Sequence, residues 1–260
     1  MRAKRIHLAA AVGGLILAVP FTSRAALVLT TAGPGGAVGE NFNGFQGTAG
    51  TVPTNFAVSG GTTNYAGTFT GGSSAYNTNN GIYSGNQTSN TGDHALTARV
   101  PVGSSLLLTF AVTNNTGAPL SGLQFNFNIE QYQDAAATPN NINFLSDNGG
   151  GAFDQSNLSG PGRSVQELSA GGTTNVYATP LTAAETVSYN RAVADGATVQ
   201  FQWSWVPGGG GNRPIWGVDD LSVSGTAAPT PEPASAALLG LASAGLLARR
   251  KRRTRGANAV

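Results

Sequence analysis

Leu123, Phe125, Phe127 and Ile129 alternate with Gln124, Asn126, Asn128 and Glu130. A strict period of two has one structural solution, a strand with an apolar face and a polar face. Val199, Phe201, Trp203 and Trp205 repeat the pattern against Gln200, Gln202 and Ser204. Residues 106–112 form a more continuous apolar run, which predicts a strand covered on both faces. Asn114-Asn115-Thr116-Gly117 reads as a loop, and Pro119 restarts the chain. Residues 216–223 predict a closing strand; 27–31, 56–58 and 65–69 carry weaker strand patterns, and 183–189 fits a short helix or a strand. Strands spaced by Gly, Asn, Thr and Ser clusters predict an all-β chain built as a single β-sandwich, with a jelly roll the expected version. A solenoid would need a fixed-period repeat, and none is found between 26 and 228. Disorder is the rival reading for residues 60–90, but Tyr65, Phe69, Tyr76 and Tyr83 argue for partial packing there.

Both ends read as addresses outside this fold. Arg2, Lys4 and Arg5 precede an apolar run over 8–19, Pro20 breaks it, and Ser23-Arg24-Ala25 offers small residues for signal peptidase. Cleavage is expected after Ala25, giving a signal peptide over 1–25 and a sandwich domain over 26–228. The segment 229–260 holds Pro231-Glu232-Pro233, an uncharged stretch over 234–248, and the cations Arg249, Arg250, Lys251, Arg252 and Arg253. A helix over those 15 residues would span roughly 22 Å, short of the ~30 Å hydrocarbon core. Flanking arginines can snorkel to close the gap, so a marginal membrane helix is expected. The basic cluster is the membrane stop on the cytoplasmic side, and the chain before Pro231 then faces outward.

Removing the ends changes the charge argument. The whole chain has a pI near 9.2. Residues 26–228, however, hold four arginines, no lysine and eleven carboxylates, a net charge of −7. A surface this acidic repels phosphate backbones, so nucleic acid is excluded as a partner. Cysteine is absent, which removes thiol catalysis, zinc–thiolate sites and disulfides.

The order of motif, apolar stretch and basic tail resembles the C-terminal sorting signal of PEP-CTERM proteins, exported by Gram-negative bacteria. The resemblance implies an exosortase-like enzyme cutting near Pro231-Glu232-Pro233, transient residence in the inner membrane, delivery to the cell surface or extracellular matrix, and association with exopolysaccharide in a biofilm. Further landmarks are similar to jelly-roll domains that often precede this signal. These are the run 40–44 as an opening strand, Asn114-Asn115-Thr116-Gly117 with the following strand as a central hairpin, and residues 216–223 as a closing strand. In such sandwiches the opening and closing strands lie together and hold a structural calcium. The resemblance therefore implies Glu40 and Asp219 as a metal pair, with Asn41 beside them. A plain surface Asp-Asp turn at Asp219-Asp220 is the equal alternative.

Other residues carry weaker chemistry. His94 is the only histidine after the signal peptide, and a loop histidine in Thr91-Gly92-Asp93-His94 is the favoured reading. Glycoside hydrolysis would need two carboxyl groups about 5–10 Å apart; Glu130 with Asp134, or Glu167 with Glu185, are the candidate pairs, and none is marked as the proton donor. Trp203 and Trp205 continue a core pattern, whereas Trp216 follows a glycine-rich loop and is the candidate sugar contact. Gly208 to Gly211 precede Arg213-Pro214 and form no phosphate loop. Three Asn-x-Ser/Thr sequences, at Asn86, Asn114 and Asn157, match a glycosylation pattern. The functional expectation is an exported, noncatalytic surface or matrix protein; a polysaccharide-acting enzyme and a self-assembling surface protein are the alternatives.

Overall fold

The computed structural model describes residues 25–229 apart from 61–63, 73–78, 88, 91, 135–139, 149–151, 170–174 and 209–212. The signal peptide before Ala25, the sorting motif and the basic tail lie outside the described residues. The strands begin with β1 (Leu27–Leu29), β2 (Val38–Glu40), β3 (Phe56–Gly60), β4 (Tyr65–Thr70) and β5 (Gly81–Asn86). They continue with β6 (His94–Arg99), β7 (Leu106–Asn114), β8 (Leu120–Gln133), β9 (Asn141–Ser146) and β10 (Leu158–Ser159). The last are β11 (Ser164–Gln166), β12 (Val176–Tyr189), β13 (Thr198–Val206) and β14 (Ile215–Ala227). The ambiguous stretch 183–189 is thus strand, paired along β8. Among the described residues no helix is long and apolar enough to cross a membrane.

Two sheets face one another as a jelly-roll-like β-sandwich. The six-stranded sheet runs β1-β7-β13-β9-β11, with β3 sharing the edge of β7. The eight-stranded sheet runs β10-β12-β8-β14-β6-β5-β4, with β2 sharing the edge of β14. Pairing is antiparallel except at β1–β7 and β4–β5. The alternation of β8 and β13 places their apolar sets inward. Phe125, Phe127 and Ile129 meet Phe201, Trp203 and Trp205 in one core, every member at most 2% exposed. The run 106–112 is covered on both faces at its centre, where outward Thr109 is buried, while Leu107 and Ala111 on either side of it are half-buried.

Phe110 of β7 is the hub. Its ring stacks on Trp203 at 4.9 Å and lies 5.3 Å from Phe56 and 5.7 Å from Phe201, with Phe125 of the opposite sheet at 6.1 Å. Aromatic pairs at these separations add to area burial, and here they join three strands of one sheet to the other.

A second, smaller cluster lies on the outer face of the eight-stranded sheet. Phe69, Tyr83, Ala95, Tyr132 and Ile215 are buried there, with Val176 packed against them. Its cover includes the start of β12, where the residues between Val176 and Leu181 bulge out of register with β8. Tyr132 lies across Gly85, where an added Cβ would sit 2.6 Å from the ring. Glycine there is a requirement of close approach.

Candidate functional site

The closing strand β14 is interrupted at its two aspartates. Asp219 pairs with Asn128 but Ser222 pairs with Asn126, so β14 carries one residue more than β8 across this step. That extra residue makes a β-bulge, and Asp220 takes it up at φ 49°. The left-handed region is tolerated by aspartate better than by most residues. On the other edge of β14, β6 pairs as far as Val218 and β2 begins at Leu221, opposite Glu40. The opening and closing strands therefore do lie together, and the aspartates sit at the junction between β6 and β2. Val218 and Leu221 both remain in the core, so the bulge redirects only the carboxylates.

The two carboxylates have different surroundings. Asp219 is 1% exposed, and its Oδ1 accepts the Asp220 backbone N–H at 2.8 Å. Its charged neighbours are Asp220, Glu130 and Asp93, all acidic. Burial first, then these like charges, push its carboxyl up to about 9. Asp219 therefore holds a proton at neutral pH. A buried carboxyl among like charges needs either a bound cation or a proton, and protonation meets that need here. Glu130 is also buried, and its Oε2 accepts the Tyr132 hydroxyl at 2.5 Å. Burial is the main cause that raises Glu130, while the tyrosine bond opposes it. The Tyr132 phenol is in turn pushed well up by burial and by Glu130.

Asp220 is exposed, and its Oδ2 accepts a hydrogen bond from Asn128 Nδ2 at 2.9 Å. It lines a cleft of about 420 Å³ with Gly39, Glu40, Asn41 and Leu221. Glu40 Oε1 accepts the Phe42 N–H at 2.8 Å, and Asn41 Oδ1 accepts the Asn43 N–H at 3.2 Å. The residues expected to form a calcium site thus fall at one junction, with the cleft lined by Asp220 and Asp219 turned toward Glu130. All donors at the cleft are oxygens, as a hard cation requires. Among the described residues no group of three or more His, Asp or Glu is set to hold a metal.

The remaining candidates resolve into structural roles. Trp216 is 2% exposed and belongs to the core with Trp203 and Trp205. This corrects its expected place as a sugar contact: Trp216 shares inward parity with Val218, and its backbone carbonyl accepts the Trp205 indole N–H at 3.2 Å. His94 opens β6 instead of lying in a loop, and is buried. Its Nδ1 lies 2.6 Å from Ser84 Oγ. The Ser84 hydroxyl donates to the Phe45 carbonyl at 2.7 Å, so the histidine donates to the serine and cannot serve as its base. Asp134 is fully buried and accepts from the Asn175 backbone N–H at 2.7 Å and Nδ2 at 3.0 Å. Glu167 Oε2 accepts from the Asn140 backbone N–H at 2.9 Å and Nδ2 at 2.5 Å. Glu185 lies on β12 opposite Phe127, its carboxyl raised by burial. Glu130, Asp134 and Glu167 are thus all buried. Asn86 and Asn114 are buried, and Asn157 Nδ2 donates to Asn148 Oδ1 at 2.7 Å. Ala25, the expected signal cleavage position, is exposed two residues before β1.

Residues 229–253 match the family model described as the PEP-CTERM protein-sorting motif. The chain thus carries the sorting motif of exported proteins behind its sandwich. No curated protein matches it in sequence. Among solved structures it is similar to TmCBM61 in complex with beta-1,4-galactotriose, at 13% identity and TM-score 0.38, over 71% of this chain and 93% of that one. It is similar to the CBM22-1 xylan-binding domain from Paenibacillus barcinonensis Xyn10C, at 11% identity and TM-score 0.35, over 74% and 94%. It is also similar to the MgGH51 α-L-arabinofuranosidase, at 14% identity and TM-score 0.40, over 78% of this chain and 31% of the enzyme. At such scores no ligand or activity is carried over; the sandwich rests on this chain's own strand pairing.

Proposed function

We propose that this chain is an exported, noncatalytic protein of the cell surface or extracellular matrix, associated with exopolysaccharide. Its C-terminal segment holds it briefly in the inner membrane, and an exosortase-like enzyme cuts it near Pro231-Glu232-Pro233. The observation that carries this reading is the sorting motif over 229–253. Supporting it, the outer face of β8 offers Gln124 and Asn126 to solvent, with Asn128 half-exposed, amides suited to hydrated glycans. The candidate catalytic carboxylates are engaged in buried hydrogen bonds or lie at a strand edge, which argues against a glycosidase. The test is incubation of the protein released by the producing cells with its own exopolysaccharide. Retention on the polymer with no new reducing ends is the expected result; release of reducing ends would make it an enzyme.

Calcium belongs to the same proposal. Glu40, Asn41 and Asp220 line the cleft where it would sit, bridging β2 and β14, and Asp219 behind the bulge would join them only on losing its proton. A cation bound only by the folded state raises stability by mass action. The melting temperature is expected to rise with added calcium and fall with excess chelator; identical melting in both would remove calcium from the account.

A further inference from the structure

The outer face of the eight-stranded sheet carries a groove of about 220 Å³ near the end of β14. Ser121, Gly122 and Gln124 of β8, Ser188 of β12, Asn190 just after it and Thr226 of β14 line the groove. Gly122 lies opposite Thr226, and Gln124 lies between Ser188 and Ser224. Gly122 has the outward parity of Gln124, so the sheet presents no side chain at that position. A Cβ there would sit 2.4 Å from the Tyr189 carbonyl oxygen. The depression is therefore fixed by close approach of the backbone. We infer that this groove is a binding subsite for an uncharged sugar unit of the exopolysaccharide. The inference rests on the polysaccharide association proposed above and deepens it.

The lining selects the class of ligand. A phosphate or a uronate needs a cation or a nest of backbone N–H groups, and a hard cation needs carboxylates. No side chain lining the groove is charged. The charges nearest Tyr189 are Arg191 and Asp147, and both are engaged elsewhere. Arg191 Nη1 donates to the Asn148 carbonyl at 2.5 Å, and Asp147 Oδ1 accepts the Gln200 N–H at 3.2 Å. What the groove offers is amides and hydroxyls, which both donate and accept, as sugar hydroxyls do. Among the described residues, the side chains of Gln124, Ser188 and Thr226 make no hydrogen bond. The other two polar side chains brace the walls: Ser121 Oγ donates to the Thr226 carbonyl at 3.2 Å, and Asn190 Nδ2 donates to Ser159 Oγ at 3.0 Å. Unspent groups held on paired strands lose little freedom when a ligand meets them. The volume falls below the ~300 Å³ at which drug-sized pockets begin, which suits a single sugar ring. The next outward row, Thr186, Asn126 and Ser222, is also uncharged, so a polymer can continue along β8. The first carboxylate it meets on that face is Asp220, bonded to Asn128. With a net charge of −7 on residues 26–228, a polyanion laid along this path is repelled.

The test is depletion of the released protein from solution by the producing cells' exopolysaccharide, separated by anion exchange into a neutral and an anionic fraction. The proteins compared are the native form, the triple variant Gln124→Ala, Ser188→Ala, Thr226→Ala, and a control on the other sheet, Thr198→Ala. The native protein and the control are expected to bind the neutral fraction alike and in preference to the anionic one. The triple variant is expected to lose affinity for it about tenfold or more. An undiminished triple variant, or a control weakened equally, would overturn the groove and leave the association standing. Preference of the native protein for the anionic fraction would overturn the uncharged class. Retention on neither fraction would remove the association itself, and the groove with it. Should the triple variant fail to fold, hydrogen exchange on the native protein decides. Slowing by the neutral fraction confined to β8, β12 and β14 around the groove supports the subsite, and slowing elsewhere or none overturns it.

Discussion

Replacing Phe110 by alanine is expected to cost about 3–5 kcal/mol of folding stability. The ring is 2% exposed and contacts Phe56, Phe201 and Trp203 within its own sheet and Phe125 across the core. Truncation leaves a cavity walled by rigid aromatic side chains, which collapse poorly into the space. A loss of that size is a large share of the ~5–15 kcal/mol by which domains are stable. The denaturation midpoint should fall steeply while the denaturant slope stays unchanged. Phe110→Leu keeps most of the volume and should cost far less. A loss below about 1 kcal/mol for the alanine variant would mean that Phe110 does not join the sheets as described.

The second large effect concerns Asp219. Its carboxyl is raised to about 9 in the folded chain and ionises near 3.9 in an unfolded one. Between those values the folded state keeps a proton that the unfolded state has released. Stability therefore falls as pH rises from about 4 to about 9, by at most ~1.4 kcal/mol per pH unit from this group. Glu130 is raised too and acts in the same direction. Asp219→Asn replaces the acidic O–H by an amide donor of the same shape and removes the titration. In excess chelator, the variant should match the native protein near pH 4 and exceed it in melting temperature by a widening margin up to pH 8.5. Parallel melting curves across that range would show that Asp219 is ionised in the fold.

The alternating strands were legible because each sets apolar side chains on one side against polar ones on the other. Leu123 to Asn128 have one dry face, and Val199 to Trp205 keep period two because Gln200, Gln202 and Ser204 are polar, although Gln202 and Ser204 are covered. β5 and β6 were not legible: Gly81–Asn86 and His94–Arg99 are buried on both faces. Tyr132 and Phe69 cover their outer side, so no alternation remains to read. The stretch 183–189 was ambiguous because its alanines and glutamate suit a helix locally, while pairing with β8 decides for strand. The same tertiary cover explains Glu130, an outward position by its parity that is nevertheless buried. Trp216 was misplaced by its neighbour, the glycine-rich loop, although its spacing from Val218 already pointed inward. The bulge at Asp220 has no local signature. It arises where β6 yields to β2 along one edge of β14, a fact of topology alone.

The central claim is that residues 229–253 sort this chain outward and are then removed. Following the protein through membrane and extracellular fractions of the producing cells, with mass spectrometry of its C-terminus, tests this most directly. The account predicts a precursor in the membrane fraction and a mature form outside the cell that ends near Pro231-Glu232-Pro233. A chain found soluble in the cytoplasm with Arg249 to Arg253 still attached would contradict it.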